Sequence, residues 1–314
     1  MRPILTTLHF PSRPAWAARA RMLDRSAMSP PRLLRELLQR ARPEDVVVLD
    51  GGIGLRDAYL DRVAAALLSR RRHPPTVLIT DSTWTPGRGR RAATRVLGGP
   101  RTAYCVLSSD ERESFPVNWG VDPARVFVTP FYWTIPEDEP QADFDGAGVF
   151  AGGDSLRDHD ALLAAAAEVD VPVTIATRRP RPGVVPPNVA WGPVSPDEFM
   201  ASLRSCAVAV VPMRSGLVRS AGQQTYLNAM ALGKAVVVSD VPGVRDHVVD
   251  GETGLVVPAG DSRALARALR RLTDPANEPE AQQMRRRAHE VALATASPDR
   301  YVERLLEIVD ALPV

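Results

Sequence analysis

Residues 206–240, CAVAVVPMRSGLVRSAGQQTYLNAMALGKAVVVSD, decide the fold. Cys206–Val211 is a continuous apolar run and predicts a buried strand. Gln223–Leu232 reads as a helix, Gly233 is placed to end it, and Ala235–Ser239 is a second apolar strand. Short apolar strands alternating with helices argue for a parallel sheet covered on both faces.

The same rhythm runs outward in both directions. On the N-terminal side, strands are expected at Ile4–Phe10, Val46–Leu49, Thr76–Thr80, Tyr104–Leu107 and Val126–Thr129, with helices at Arg32–Ala41, from Asp57, and at Ser109–Trp119. From Asp57 on, Leu60, Val63, Ala64, Leu67 and Leu68 fall on one helical stripe. Thr134–Gly148, with Pro136, Pro140, several acids and two glycines, has the composition of a linker. The alternation restarts with strands at Gly148–Ala151, Val173–Thr177 and Asn188–Trp191, and helices at Asp160–Val169 and from Pro196. Helices at Ser262–Leu272 and Asp299–Leu312 close the chain. Two doubly wound α/β domains are expected, 1–140 and 141–314, with the last helix free to pack back on the first domain. A cleft between two such halves is a preferred place for a ligand.

Composition narrows the function. The 314 residues carry a formal net charge of +2, which gives a nucleic-acid partner no general electrostatic support. Arginines cluster at 70–72, at 88, 90 and 91, and at 285–287; such runs read as solvated helix faces or loop edges, with a peripheral membrane patch as the alternative. No apolar run approaches the roughly 18 residues that span a bilayer, and the N-terminus lacks a signal-peptide layout, so a cytoplasmic location is expected. Cys105 and Cys206 lie in apolar runs and read as buried free thiols. The histidines and cysteines have no zinc spacing, so no metal is expected. Lys234 is the single lysine, so phosphate-binding side chains must be mostly arginine.

In open parallel sheets, chemistry gathers at the carboxyl ends of the strands. Gly152 and Gly153 end one strand and let the backbone approach a bound group, with Arg157 near the start of the next helix. A guanidinium beside helix N–H groups makes a diphosphate clamp; a plain turn with a surface arginine is the alternative. Met213–Thr225 is the richer loop. Gly222 and its neighbouring N–H groups suit an anion that Arg214 and Arg219 would neutralise, against a merely flexible loop. Arg178, at the end of the Val173–Thr177 strand, joins the candidate binding residues. Gly51-Gly52-Ile53-Gly54 follows a strand, but it lacks the third glycine and the acidic partner of a dinucleotide site.

The stretch from Gly222 to Leu272 resembles the GT4 family of retaining glycosyltransferases. The match runs through Asn228–Asp240, then Val241-Pro242-Gly243-Val244-Arg245-Asp246-His247-Val248-Val249-Asp250-Gly251-Glu252-Thr253-Gly254-Leu255-Val256-Val257-Pro258, and on through Gly260-Asp261. Arg157–Leu163 and Val106–Phe131 are weaker matches. The resemblance implies a GT-B fold, two Rossmann-like doubly wound domains facing each other across a cleft, with a nucleoside-diphosphate sugar bound by the C-terminal one. It implies no obligatory metal and no cofactor beyond that co-substrate. By position, Arg157 would face the donor phosphates, and Trp191 and Val194 the base. Ser220, Gly222, Gln223, Gln224, Thr225 and Asn228 would wrap diphosphate, sugar and ribose. This chain departs from the family at two positions where a glutamate is usual: they hold Ser220 and Asn228. Asn228 retains hydrogen-bonding capacity toward ribose hydroxyls.

In the N-terminal half, Asp81 ends the Thr76–Thr80 strand and is the best carboxylate to orient or deprotonate an acceptor; capping the following turn is the alternative. His9, after the first strand, is a second candidate, against a merely packed histidine. Trp84, Tyr132 and Trp133 are candidates to stack on an acceptor, or to pack at a domain junction. The function expected is glycosyl transfer from a sugar nucleotide to a small-molecule or lipid-linked acceptor. The alternatives are a GT-B sugar-nucleotide epimerase and a non-catalytic sugar-nucleotide-binding scaffold.

Overall fold

The computed structural model describes residues 2–52, 57–85, 98–136 and 140–313. The chain divides into two compact units, one of residues Met1–Pro130 with Asp299–Val314, the other of Phe131–Pro298.

The first unit is built on a parallel six-stranded sheet. Its strands are β1 (Ile4–Thr6), β2 (Ala20–Met22), β3 (Val46–Asp50), β4 (Thr76–Thr80), β5 (Thr102–Val106) and β6 (Val126–Val128), in the order β2-β1-β3-β4-β5-β6. The helices Pro30–Arg40, Asp57–Ser69 and Ser109–Trp119 form close to their expected bounds. Leu33 and Leu37, Ala64 and Leu68, and Phe115 and Trp119 are buried in one cluster with Val47, Leu49, Val77, Ile79 and Tyr104. A buried side chain of this size contributes roughly 1.5–3 kcal/mol. The edge strand Ala20–Met22 is a departure from the sequence reading, and the first strand stops at Thr6 rather than Phe10.

The second unit repeats the architecture with β7 (Val149–Gly152), β8 (Val173–Ala176), β9 (Val189–Gly192), β10 (Val208–Val211), β11 (Ala235–Asp240) and β12 (Leu255–Pro258), all parallel, ordered β12-β11-β10-β7-β8-β9. The continuous apolar runs are explained by burial on both faces. Val208 and Val210 point into one core cluster and Ala209 and Val211 into the other; Ala235 and Val237 alternate with Val236 and Val238 in the same way. The sheet order reverses between β7 and β10, which opens a crevice at their carboxyl ends.

Several expectations need correction. Trp84 is 9% exposed and packed against Tyr104, Phe115 and Trp119, with its Nε1 donating to the Gly51 carbonyl at 2.8 Å, so it is a core residue and not a stacking platform. Trp133 and Ile135, inside or beside the expected linker, are buried in the second unit's core. The run 285–287 is not simply solvated: Arg285 is 2% exposed, pairs with Glu278 at 2.6 Å and donates to the Phe144 carbonyl. A guanidinium is held there because its buried charge is paired and hydrogen-bonded. Arg71 donates to the carbonyls of Leu38 and Ala41 and so caps the Pro30–Arg40 helix. Arg88, Arg90, Arg91, Ile53 and Gly54 lie outside the described residues. Cys105 and Cys206 are buried free thiols. Among the described residues no helix is long and apolar enough to cross a membrane.

Candidate functional site

A cavity of about 720 Å³ opens in the second unit at the carboxyl ends of β7, β8 and β9 and the start of the Gln223–Ala231 helix. That volume is in the range of small-molecule sites, roughly 300–1,000 Å³. Of the residues singled out from sequence, Gly153, Arg157, Arg178, Val194, Gln224, Thr225 and Asn228 line it. Its apolar lining includes Pro193, Val194, Pro196, Phe199 and Met200, and its polar lining Arg157, Arg178, Thr177, Thr225 and Asn228.

Arg157 brings a buried positive charge to this cavity. It is 5% exposed, its Nε donates to the Gly152 carbonyl at 3.2 Å, Nη1 reaches the Ser155 carbonyl and Met213 Sδ, and Nη2 donates to Thr225 Oγ1 at 3.1 Å. Every one of these acceptors is neutral. Among the described residues no carboxylate pairs with it, and burial lowers its pKa to about 10, with Asp154 opposing the shift from a distance. A buried cation held by neutral groups keeps its charge uncompensated, and an anion in the cavity would compensate it.

Gly222 brings the helix start to this charge. It caps the helix with φ 83°, a left-handed conformation that glycine adopts without strain. An added Cβ would stand 2.7 Å from Val211 Cγ1 and 3.2 Å from Arg157 Nη1, so only glycine lets the turn sit against the guanidinium. No side chain caps this helix, and Gln224 and Thr225 of its first turn line the cavity.

Other expected residues contribute indirectly. Gly152 supplies its carbonyl to Arg157, and Arg214 Nε donates to the Arg157 carbonyl. Trp191 packs edge-on to His159 and donates to the Arg179 carbonyl; the strand end beyond it lines the cavity in its place. Ser220 and Gln223 are buried, and Arg219 donates to the Ser220 carbonyl. Asn228 turns its amide to Thr134, accepting from the Thr134 N–H at 2.7 Å and donating to Oγ1 at 3.2 Å. Lys234 is buried, donating to the Asp145 carbonyl at 3.0 Å beside Asp143, which makes it an anchor for residues 143–145.

Thr134, Asp154 and Thr177 also line the cavity, though the sequence motifs do not single them out. Burial works against the Asp154 charge, but the Thr177 hydroxyl and Arg178 outweigh it and hold the carboxyl below its ordinary value. Arg178 is thereby fixed by its Nε, 3.1 Å from Asp154 Oδ2. Thr134 lies in a segment of linker composition, which carries no motif signal.

Asp81 and His9 belong to the first unit. His9 is exposed in the loop after β1. Asp81 follows β4 with φ 47°, and its Oδ1 accepts from the Tyr301 hydroxyl at 3.4 Å. Burial, together with the charges of Asp50 and Glu111, pushes its carboxyl up to about 7 against that hydrogen bond. Tyr301 comes from the last helix, Pro298–Ala311, and no local motif ties it to Asp81. Among the described residues no three His, Cys, Asp or Glu side chains are grouped to hold a metal ion.

Comparison with known proteins covers most of the residues that line this cavity. Residues 157–274 match the family described as Glycosyl transferases group 1. D-inositol 3-phosphate glycosyltransferase of Acidothermus cellulolyticus is 35% identical over 96 residues, covering 30% of this chain and 20% of that protein. Phosphatidyl-myo-inositol mannosyltransferase of Mycobacterium leprae is 46% identical over 69 residues, 22% of this chain and 18% of that one. The matches thus span about a fifth of the length of these curated relatives. Similarity of fold extends further. Anabaena HepE, solved in complex with UDP and glucose, superposes with a TM-score of 0.68 at 14% identity over 99% of this chain and 100% of that one. A glycosyltransferase from Rickettsia africae gives 0.66 at 12% identity over 99% and 90%. The two parallel-sheet units are those of the GT-B fold, and residues 157–274 resemble the GT4-like glycosyltransferases.

Proposed function

We propose that the chain is a glycosyltransferase whose C-terminal cavity binds a nucleoside-diphosphate sugar and passes its glycosyl group to an acceptor hydroxyl with retention at the anomeric carbon. One observation carries the reading: Arg157, buried without a carboxylate partner, beside an uncapped helix start in the cavity wall. A diphosphate brings the negative charge that Arg157 lacks, and the apolar lining with Val194 and Phe199 suits a base. The group 1 domain and the UDP and glucose bound by Anabaena HepE support the same assignment.

In the reaction, the acceptor oxygen bonds to the anomeric carbon while the anomeric bond to the diphosphate breaks, its electron pair leaving on the phosphate oxygen. Arg157 and the helix N–H groups stabilise that charge as it develops. The acceptor proton passes to an oxygen of the departing diphosphate. The residues hold substrates and charges in place, and the reading needs no metal and no further cofactor. The acceptor is a small molecule or a lipid-linked one, met in the cytoplasm or at the membrane surface; the names of the two inositol-linked relatives support both kinds.

Incubation with sugar conjugates of UDP, GDP, ADP and dTDP, with and without an acceptor panel, tests this. The expected result is acceptor-dependent release of one nucleoside diphosphate and a product that keeps the donor's anomeric configuration. Conversion of donor without acceptor would make the chain an epimerase. Binding with neither transfer nor hydrolysis would make it a scaffold.

A further inference from the structure

Position 228 is where the resembled family carries a glutamate, an acceptor for ligand hydroxyl protons. Here the asparagine is already engaged. Its Oδ1 accepts from the Thr134 N–H at 2.7 Å, which fixes the amide orientation and turns Nδ2 to Thr134 Oγ1 at 3.2 Å. One helical turn earlier, Gln224 Nε2 donates to the same oxygen at 2.8 Å. A hydroxyl oxygen has two lone pairs and one proton. Both acceptor positions of Thr134 are therefore taken, and no acceptor among the described residues takes its proton. Buried Trp133 and Ile135 on either side fix the segment, and the Trp133 N–H donates to the Ala296 carbonyl at 2.9 Å.

Thr134, Gln224 and Asn228 all line the cavity, next to Thr225, which accepts from Arg157. This wall accordingly offers a hydrogen-bond donor where a glutamate would offer an acceptor. We infer that Thr134 is a specificity-determining ligand contact whose hydroxyl donates to an anionic oxygen of the diphosphate sugar, with Asn228 and Gln224 as the residues that position it. The inference rests on the cavity being a sugar-nucleotide site. It reverses the hydrogen-bond polarity of the subsite and selects for an acceptor oxygen on the ligand, not a sugar or ribose hydroxyl seeking a carboxylate.

Calorimetric titration of UDP, GDP, ADP and dTDP into the wild type, Thr134→Val, Thr134→Ser and Asn228→Asp tests it. Valine keeps the β-branch and the backbone N–H but removes the hydroxyl, and should weaken the preferred nucleoside diphosphate about tenfold or more. Serine restores the donor and should bind within about twofold of wild type. Aspartate at 228 would draw the Thr134 proton to itself and add a like charge, and should weaken binding as valine does. Valine binding like wild type, or aspartate binding more tightly, would overturn the role of Thr134 while leaving the nucleotide site standing. No binding of any nucleotide to the wild type would overturn the site itself, and this inference with it.

Discussion

Arg157→Ala is expected to lower turnover by about tenfold to a hundredfold, with the fold retained. Arg157 is 5% exposed and its hydrogen-bond partners are all neutral, so its charge is available to the leaving diphosphate. Removing one preorganised donor from a developing anion costs about 10²–10³ in rate where that donor dominates. Here the helix start behind Gly222 shares the task, which moderates the loss. Arg157→Lys keeps the charge but not the fork that spans the Gly152 carbonyl and Thr225, so it should recover part of the rate. Turnover close to wild type in the alanine variant would remove Arg157 from the mechanism.

Asp81→Asn should remove a loss of stability that the wild type suffers as pH rises toward about 7. The carboxyl is pushed up to about 7, so in the wild type the charged form accumulates in the folded state only as pH increases through about 7. Between the ordinary aspartate value and about 7 the folded state holds a proton that the unfolded state has released, so stability falls as pH rises through that interval. The asparagine variant should therefore unfold at a higher temperature than the wild type above pH 7. Asparagine also tolerates φ 47° well. A variant whose melting temperature follows pH as the wild type's does would remove Asp81 as the cause of that loss.

The sheets were legible because their strands are buried on both faces: Val46–Asp50, Thr76–Thr80 and Val208–Val211 carry polar side chains only at their ends. Elements without that signature were not. The helix Glu278–Thr295 buries Ala281, Met284, Arg285, Ala288 and Ala292, mostly small residues and one charge, so its packed face carries little apolar contrast. The edge strand Ala20–Met22 has a single buried residue. At the site, Arg157, Gly222 and Thr225 could be read from loop position alone, because strand ends and helix starts concentrate backbone donors. Thr134 and Tyr301 could not: Thr134 is 94 residues from its Asn228 partner and Tyr301 is 220 from Asp81, and only the fold makes them neighbours.

The claim that the C-terminal cavity is a nucleotide site is tested most directly by the melting temperature of the wild-type protein against UDP, GDP, ADP, dTDP and their sugar conjugates. A ligand at 100 times its dissociation constant adds about 2.7 kcal/mol to stability. The account predicts a clear upward shift for nucleotides of one base and little for the others. Melting that stays the same with every nucleotide at millimolar concentration would contradict it.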